Sequence, residues 1–170
     1  MAHYIPPTYT DFVQNALAVR ILACDYWNET CAVIADLDTL VSEARKLNFI
    51  GGAYNKPDDP DRNEVSDFSC LLYKMLQLQP PTKLVVREFF AHDRAAGSAM
   101  KALGAMYVRL VFPLFRPVIN SAKDRTAHVR ICDKFGRPTY CQLNEYLDIL
   151  MTRDDVLQVR LPPAKEMSRE

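Results

Sequence analysis

The stretch Ser66-Asp67-Phe68-Ser69-Cys70-Leu71-Leu72-Tyr73-Lys74-Met75-Leu76-Gln77-Leu78-Gln79-Pro80-Pro81 contains both ends of a helix and the stripe between them. Ser66 can accept a hydrogen bond from a first-turn amide, and two prolines stop the chain from continuing as helix. Phe68, Leu71, Leu72, Met75 and Leu76 fall at three- and four-residue spacing, so one face is apolar and has to be covered. A helix of this kind requires other helices around it.

Downstream, Thr82–Ala91 repeats the pattern with Thr82 as cap and Val85, Val86, Phe89 and Phe90 as apolar positions. Ala95–Val111 reads as a long helix with Ala99, Met100, Leu103, Met106, Tyr107 and Leu110 on one side. Within it Gly104 would admit a neighbouring backbone, and Pro113 ends it. A helical turn is expected at Leu114–Ile119. A small hairpin is expected around Lys134-Phe135-Gly136-Arg137, flanked by Val129-Arg130-Ile131 and Thr139-Tyr140. Leu143, Leu147 and Leu150 restore helical spacing, and Val156–Leu161 reads as extended.

Upstream, Asn55–Val65 is rich in Pro and Asp and reads as a polar loop. Ile50-Gly51-Gly52-Ala53-Tyr54 is read as a left-handed helix terminator. It follows a helix built on Leu37, Leu40, Val41, Ala44 and Leu47, with Asp38 at its start and Arg45 and Lys46 near its end. Phe12, Val13, Ala16, Leu17, Val19 and residues 20–23 suggest a largely buried helix, interrupted by polar residues 25–30 around Trp27. The expected fold is mainly α: an extended arm over residues 1–10, a single compact helical domain over 11–162 with about seven to nine helices and one small β-hairpin near 129–140, and a charged tail over 163–170.

Composition agrees with an ordinary globular protein, at 49% hydrophobic and 25% charged residues in 170. No window approaches the roughly 18 apolar residues of a membrane span, and the start lacks signal-peptide character, so an intracellular protein is expected. Five cysteines without a C-x-x-C pair suggest neither a disulfide framework nor zinc. The 21 basic and 21 acidic residues balance, yet residues 1–64 hold five of the basic and ten of the acidic ones. The chain is therefore dipolar.

Catalytic chemistry leaves little trace. Gly51-Gly52 lacks the rest of a phosphate loop, and His3, His92 and His128 lack a partner at metal-binding spacing. Asp58, Asp59, Asp61 and Glu64 lack the alternation and central glycine of a calcium loop. Cys24 or Cys31 with His128 would be a nucleophile and base, but nothing in the sequence brings them together, and cysteine commonly serves as a small hydrophobe. No cofactor is expected.

The best site candidate from physics alone is the run Arg109, Arg116, Lys123, Arg125, Arg130, Lys134 and Arg137, interleaved with Phe112, Phe115 and Phe135. Cations and rings together suit single-stranded RNA, and the same residues could line an acidic protein groove or serve the core. Tyr26 and Trp27 are read as either a core plug or a partner anchor.

Three ordered stretches resemble the pre-mRNA-splicing factor 38 family. Arg20-Ile21, Tyr26-Trp27 and Cys31 resemble its R-I…Y-W-K-E-x-C pattern, and Ile50–Tyr54 its I-G-G-x-Y. Leu71–Pro80 is similar to L-L-x-K-M-L-Q-x-Q-P, and Leu103–Leu110 to L-G-A-x-Y-x-R-L. The chain departs from the pattern at Asn28, in a longer link after Tyr54, and in Ala122–Arg130, where the family has D-Y-R-K-x-R. The resemblance implies a non-enzymatic nuclear scaffold of the tri-snRNP and precatalytic spliceosome, needed for spliceosome activation. It implies partners of two kinds, a long helical protein related to microfibrillar-associated protein and a zinc-finger splicing protein, with RNA nearby. On this reading Tyr26, Trp27, Tyr54, Arg109, Arg116, Lys123, Arg125 and Arg130 are the candidate contacts, and Gly51, Gly52 and Gly104 the structural ones.

Overall fold

The long helix given one apolar side from its spacing is in fact enclosed on every side. In the computed structural model, which describes residues 9–91 and 97–163, helix α5 (Ser98–Val111) has every residue from Ala99 to Leu110 buried. It is the axis of the molecule. Helices α3 (Asp67–Leu78), α4 (Thr82–Phe89), α6 (Phe115–Ser121) and α7 (Leu143–Thr152) all pack against it. A helix buried all round cannot be amphipathic, and this one contains Lys101 and Arg109, whose charges are satisfied internally.

The ends of α3 follow the sequence reading. Ser66 Oγ accepts from the Ser69 amide at 3.1 Å, and Gln79 closes the helix in a left-handed conformation ahead of Pro80. Helix α4 departs from it: Thr82 is the first helical residue, and no side chain caps the helix. The Tyr107 hydroxyl donates to the Pro80 carbonyl at 2.7 Å, tying the α3–α4 corner to α5.

The N-terminal part is broken into shorter pieces than expected. A 3-10 turn at Tyr9–Phe12 precedes α1 (Asn15–Ala23), and a π-helical turn at Trp27–Cys31 follows, so the polar stretch 25–30 bends the helical path without abolishing it. Only Leu17 and Ile21 of α1 are buried; Val19 and Leu22 face outward. Helix α2 (Leu37–Ala44) is capped by Asp36, which accepts from the Thr39 amide at 2.7 Å, while Asp38 lies in the first turn.

Residues 55–65, expected as a loop, belong to an antiparallel hairpin of β1 (Ala53–Lys56) and β2 (Asp59–Val65). Its polarity misled the reading because the ladder stands largely in solvent. It is knitted by Asn63 Nδ2 donating to Asn55 Oδ1 and by Arg62 and Lys56 on Glu64. The hairpin expected near 129–140 is present as β3 (His128–Cys132) and β4 (Pro138–Gln142). A third small ladder, β5 (Asp155–Val156) with β6 (Val159–Arg160), turns through left-handed Leu157 and Gln158, replacing the expected extended run. The fold is mainly α with these small ladders. Of the expected termini, the arm up to residue 8, the tail from 164 and His92 lie outside the described residues.

The glycines serve close approach. Helix α2 ends at Ala44, and neither Gly51 nor Gly52 adopts positive φ, so the pair is not its left-handed terminator. A Cβ on Gly52 would come within 2.5 Å of Gln158 Oε1 and 3.0 Å of the Leu157 carbonyl. Beside it, the Gly51 carbonyl accepts from Ser66 Oγ and, at 2.8 Å, from Ser69 Oγ. Gly104 admits the Phe89 side chain of α4, where a neighbouring backbone was expected.

Candidate partner-binding surface

Helix α1 is short of apolar cover, and the space beside it is open. A cavity of about 440 Å³ lies between its C-terminal end, the residues 24–26 that follow it and the β1–β2 hairpin, bordered by Arg20, Cys24, Tyr26, Tyr54, Asn63 and Glu64. A second, of about 350 Å³, shares Arg20 and Asn63 with it and adds Ala16, Asn55, Lys134 and Phe135. A third, of about 300 Å³, shares Ala16 and reaches Phe12, Gln14 and Arg160. Beside α1, itself about 14 Å long at 1.5 Å per residue, the three follow one another through these shared border residues and are termed the trough. Its floor is polar and apolar by turns, and both charges line it. Such a trough suits a peptide segment better than a small molecule.

Of the sequence-stated candidates, two border this trough. The half-buried Tyr26 donates its hydroxyl to Glu43 Oε2 at 3.0 Å, and burial pushes its pKa up. Lys46 Nζ, at 2.8 Å, and that hydroxyl together hold Glu43 below the usual carboxylate range. Tyr54, on β1, meets Phe49 edge-on with ring centres 6.2 Å apart. Trp27 lies behind the trough at 6% exposure, edge-on to Tyr73 at 5.4 Å with Lys74 Nζ 5.5 Å from its ring centre. It is a core residue.

The basic set is dispersed. Arg109, expected on a basic face, has no exposure; its guanidinium donates to the Leu150 and Pro162 carbonyls and lies 4.5 Å from the centre of the Phe115 ring. Its place on α5 puts it inside, and its charge closes the C-terminal turn onto the core. Arg116 sits exposed on α6, 5.6 Å from the centre of the same ring. Lys123 pairs with Asp148 at 2.8 Å, and Arg125 is exposed in the following turn. Arg130 projects from β3 opposite Tyr140 of β4. Alternation along β3 was the signal that separates Arg130 from its neighbours. The roles of Asn55 and Asn63 had no such signal, because they depend on a ladder the sequence disguised.

The thiols are free. Cys24 Sγ lies 3.5 Å from Cys70 Sγ, and Cys31 is fully buried, its pKa pushed up to about 12 by desolvation and by Asp67. A thiol so raised is almost wholly protonated near neutrality and is a poor nucleophile. His128 is on β3, paired across the ladder with Gln142, and does not accompany it.

A family model described as the PRP38 family matches residues 8–170. The chain belongs to the PRP38 family. It is 32% identical over 174 residues to pre-mRNA-splicing factor 38 of Drosophila melanogaster, covering 98% of this chain and 48% of that protein. It is 30% identical over 169 residues to pre-mRNA-splicing factor 38A of Xenopus laevis, at 95% and 50% coverage. The chain thus spans about half the length of the curated relatives it matches. Among solved structures it is similar to a chain of the Snu23–Prp38–MFAP1(217–258) complex of Chaetomium thermophilum, with TM-score 0.72, 25% identity, and coverage of 91% of this chain and 77% of that one.

Proposed function

We propose that this PRP38-family chain is a non-enzymatic nuclear scaffold of pre-mRNA splicing that holds helical protein segments and is needed for spliceosome activation. The observation that carries the reading is the likeness, over 91% of the chain, to a chain from a complex containing Snu23 and a short MFAP1 fragment. Partners of those two kinds are the ones the chain is proposed to hold. The trough along α1 supplies a physical seat: Tyr26 and Tyr54 offer rings on its wall, and charges of both signs rim it. An amphipathic helix laid there would cover apolar surface that the chain leaves in water.

The test is a pull-down with the tagged full chain from nuclear extract, followed by binding of an MFAP1-type helical fragment. The chain should recover splicing proteins. Ala16→Arg, which fills the trough from an exposed position of α1, should weaken fragment binding about tenfold without changing thermal melting. Recovery of no splicing proteins would sink the scaffold reading, while fragment binding untouched by Ala16→Arg would move the seat elsewhere on the molecule.

A further inference from the structure

The β3–β4 hairpin presents a second surface: its tip residues Lys134 and Phe135 border the trough, whereas no residue on the outer side of its ladder does. In its antiparallel register, His128 faces Gln142, Arg130 faces Tyr140 and Cys132 faces Pro138, so these six side chains share one side of the ladder. Val129 is buried on the other side, beneath the ladder. On the outer side Tyr140 is 69% exposed, and at the tip Phe135 is 52% exposed. Both rings are therefore more than half in water.

Cations accompany both rings. Lys134 Nζ and Arg137 Cζ lie 5.2 and 5.1 Å from the centre of the Phe135 ring. Arg130 stands directly across from Tyr140 and is exposed. Residues 125–142 contain four basic side chains, Arg125, Arg130, Lys134 and Arg137, against one acid, Asp133. That acid is occupied by its own turn, accepting from the Phe135 and Arg137 amides at 2.9 Å each and pairing with Arg137 Nε at 3.3 Å. The field over the hairpin is positive.

We infer that the hairpin binds single-stranded RNA, with bases stacking on Tyr140 and Phe135 and phosphates held by Arg130, Lys134 and Arg137. A protein hot spot would bury such a ring among apolar neighbours. Tyr140 instead has Arg130, His128 and Gln142 around it on the outer side, which is the setting of a ring that stacks on a base while its neighbours hold backbone and base edges. A duplex keeps its base faces stacked inside and could not use the rings, so the ligand is single-stranded. The short tip and two-strand width limit the footprint to a few nucleotides.

The experiment is fluorescence anisotropy of the full chain with a labelled oligouridylate of about ten nucleotides, across a salt series starting near 50 mM. Tyr140→Ala should weaken binding about tenfold, and Tyr140→Phe, which keeps the ring, should stay within about twofold of the parent. Arg130→Gln should reduce the slope of log affinity against log salt by about one. Circular dichroism establishes that these exposed substitutions leave the fold intact. The inference is overturned if no binding is seen at the lowest salt. It is equally overturned if the Tyr140→Ala and Phe135→Ala variants bind as the parent does, or if a polyglutamate peptide displaces the RNA at equal charge concentration, which would make the hairpin a site for acidic protein.

Discussion

Arg109 holds a full charge where the chain has no solvent, and its surroundings explain why the cost is met. The guanidinium's planar fork serves two carbonyls from separate segments, Leu150 at the end of α7 and Pro162 beyond β6, while its face covers the Phe115 ring. A lysine has a point charge and cannot span that arrangement. Arg109→Ala should therefore cost at least about 3 kcal/mol in urea unfolding, and Arg109→Lys should lose most of the same amount; a lysine variant that unfolds like the parent would refute the fork argument. Two buried tyrosines give a sharper comparison. The Tyr107 hydroxyl donates to Pro80, whereas the Tyr146 hydroxyl has no hydrogen-bond partner among the described residues. Removing a paired hydroxyl exposes a carbonyl's lost bond, and removing an unpaired one relieves a desolvated dipole. Tyr107→Phe should cost about 1 kcal/mol, and Tyr146→Phe should be neutral or stabilising. Equal losses in the two variants would mean that Tyr146 is satisfied after all.

At the scale of elements, the contact between α4 and α5 depends on a missing side chain. A Cβ on Gly104 would stand 2.6 Å from Phe89 Cβ, and since both atoms are fixed to helix backbone, only a movement of one helix could relieve the clash. Gly104→Ala should lower stability by about 1–3 kcal/mol even though alanine is the better helix former by about 1 kcal/mol. A gain in melting temperature would show that α4 yields easily. Helix α2 makes a different prediction, through its cap. The Thr39 amide holds the Asp36 carboxyl below its ordinary range, so its contribution is fully present above the unfolded carboxylate pKa and is lost as pH falls through the folded one. Asp36→Asn caps without titrating, so its melting curve should gain on the parent's between about pH 5 and 2; parallel curves would exclude the cap as an acid-sensitive point. These elements differ in how openly the sequence stated them. The α3 helix was legible because cap, stripe and stop all agree over a dozen residues, and β3–β4 because apolar alternation flanks a glycine turn. The β1–β2 hairpin was hidden, since a ladder exposed to solvent needs no apolar alternation and its Asp, Asn and Pro composition is that of a loop. The enclosure of α5 was hidden for the opposite reason: Lys101 and Arg109 read as surface until the partners that neutralise them are seen.

The trough and the β3–β4 hairpin both rest on a molecule in which the first and last described segments are joined. The Gln14 amide donates to the Gln158 carbonyl at 3.3 Å, Val13 bridges Val159, and Arg109 reaches Pro162 from the central helix. The buried apolar residues form one continuous cluster from Val13 to Leu161. Helix α5 lies within it against α3, α4, α6 and α7, so cutting the chain at any point would strip α5 of part of its cover. Such a core should unfold as one unit. Trp27, the only tryptophan, sits buried in the N-terminal part against Tyr73, so its fluorescence reports the α1–π-turn–α3 region, while far-UV ellipticity weights all helices. Urea transitions followed by the two signals should coincide in midpoint and slope. An earlier loss of the Trp27 signal would mean that the trough's α1 wall opens before the rest. The partner seat would then be a separable unit, fixed in place only when its occupant binds, and the stability of α1 would rise with partner concentration while that of α5 to α7 stayed constant.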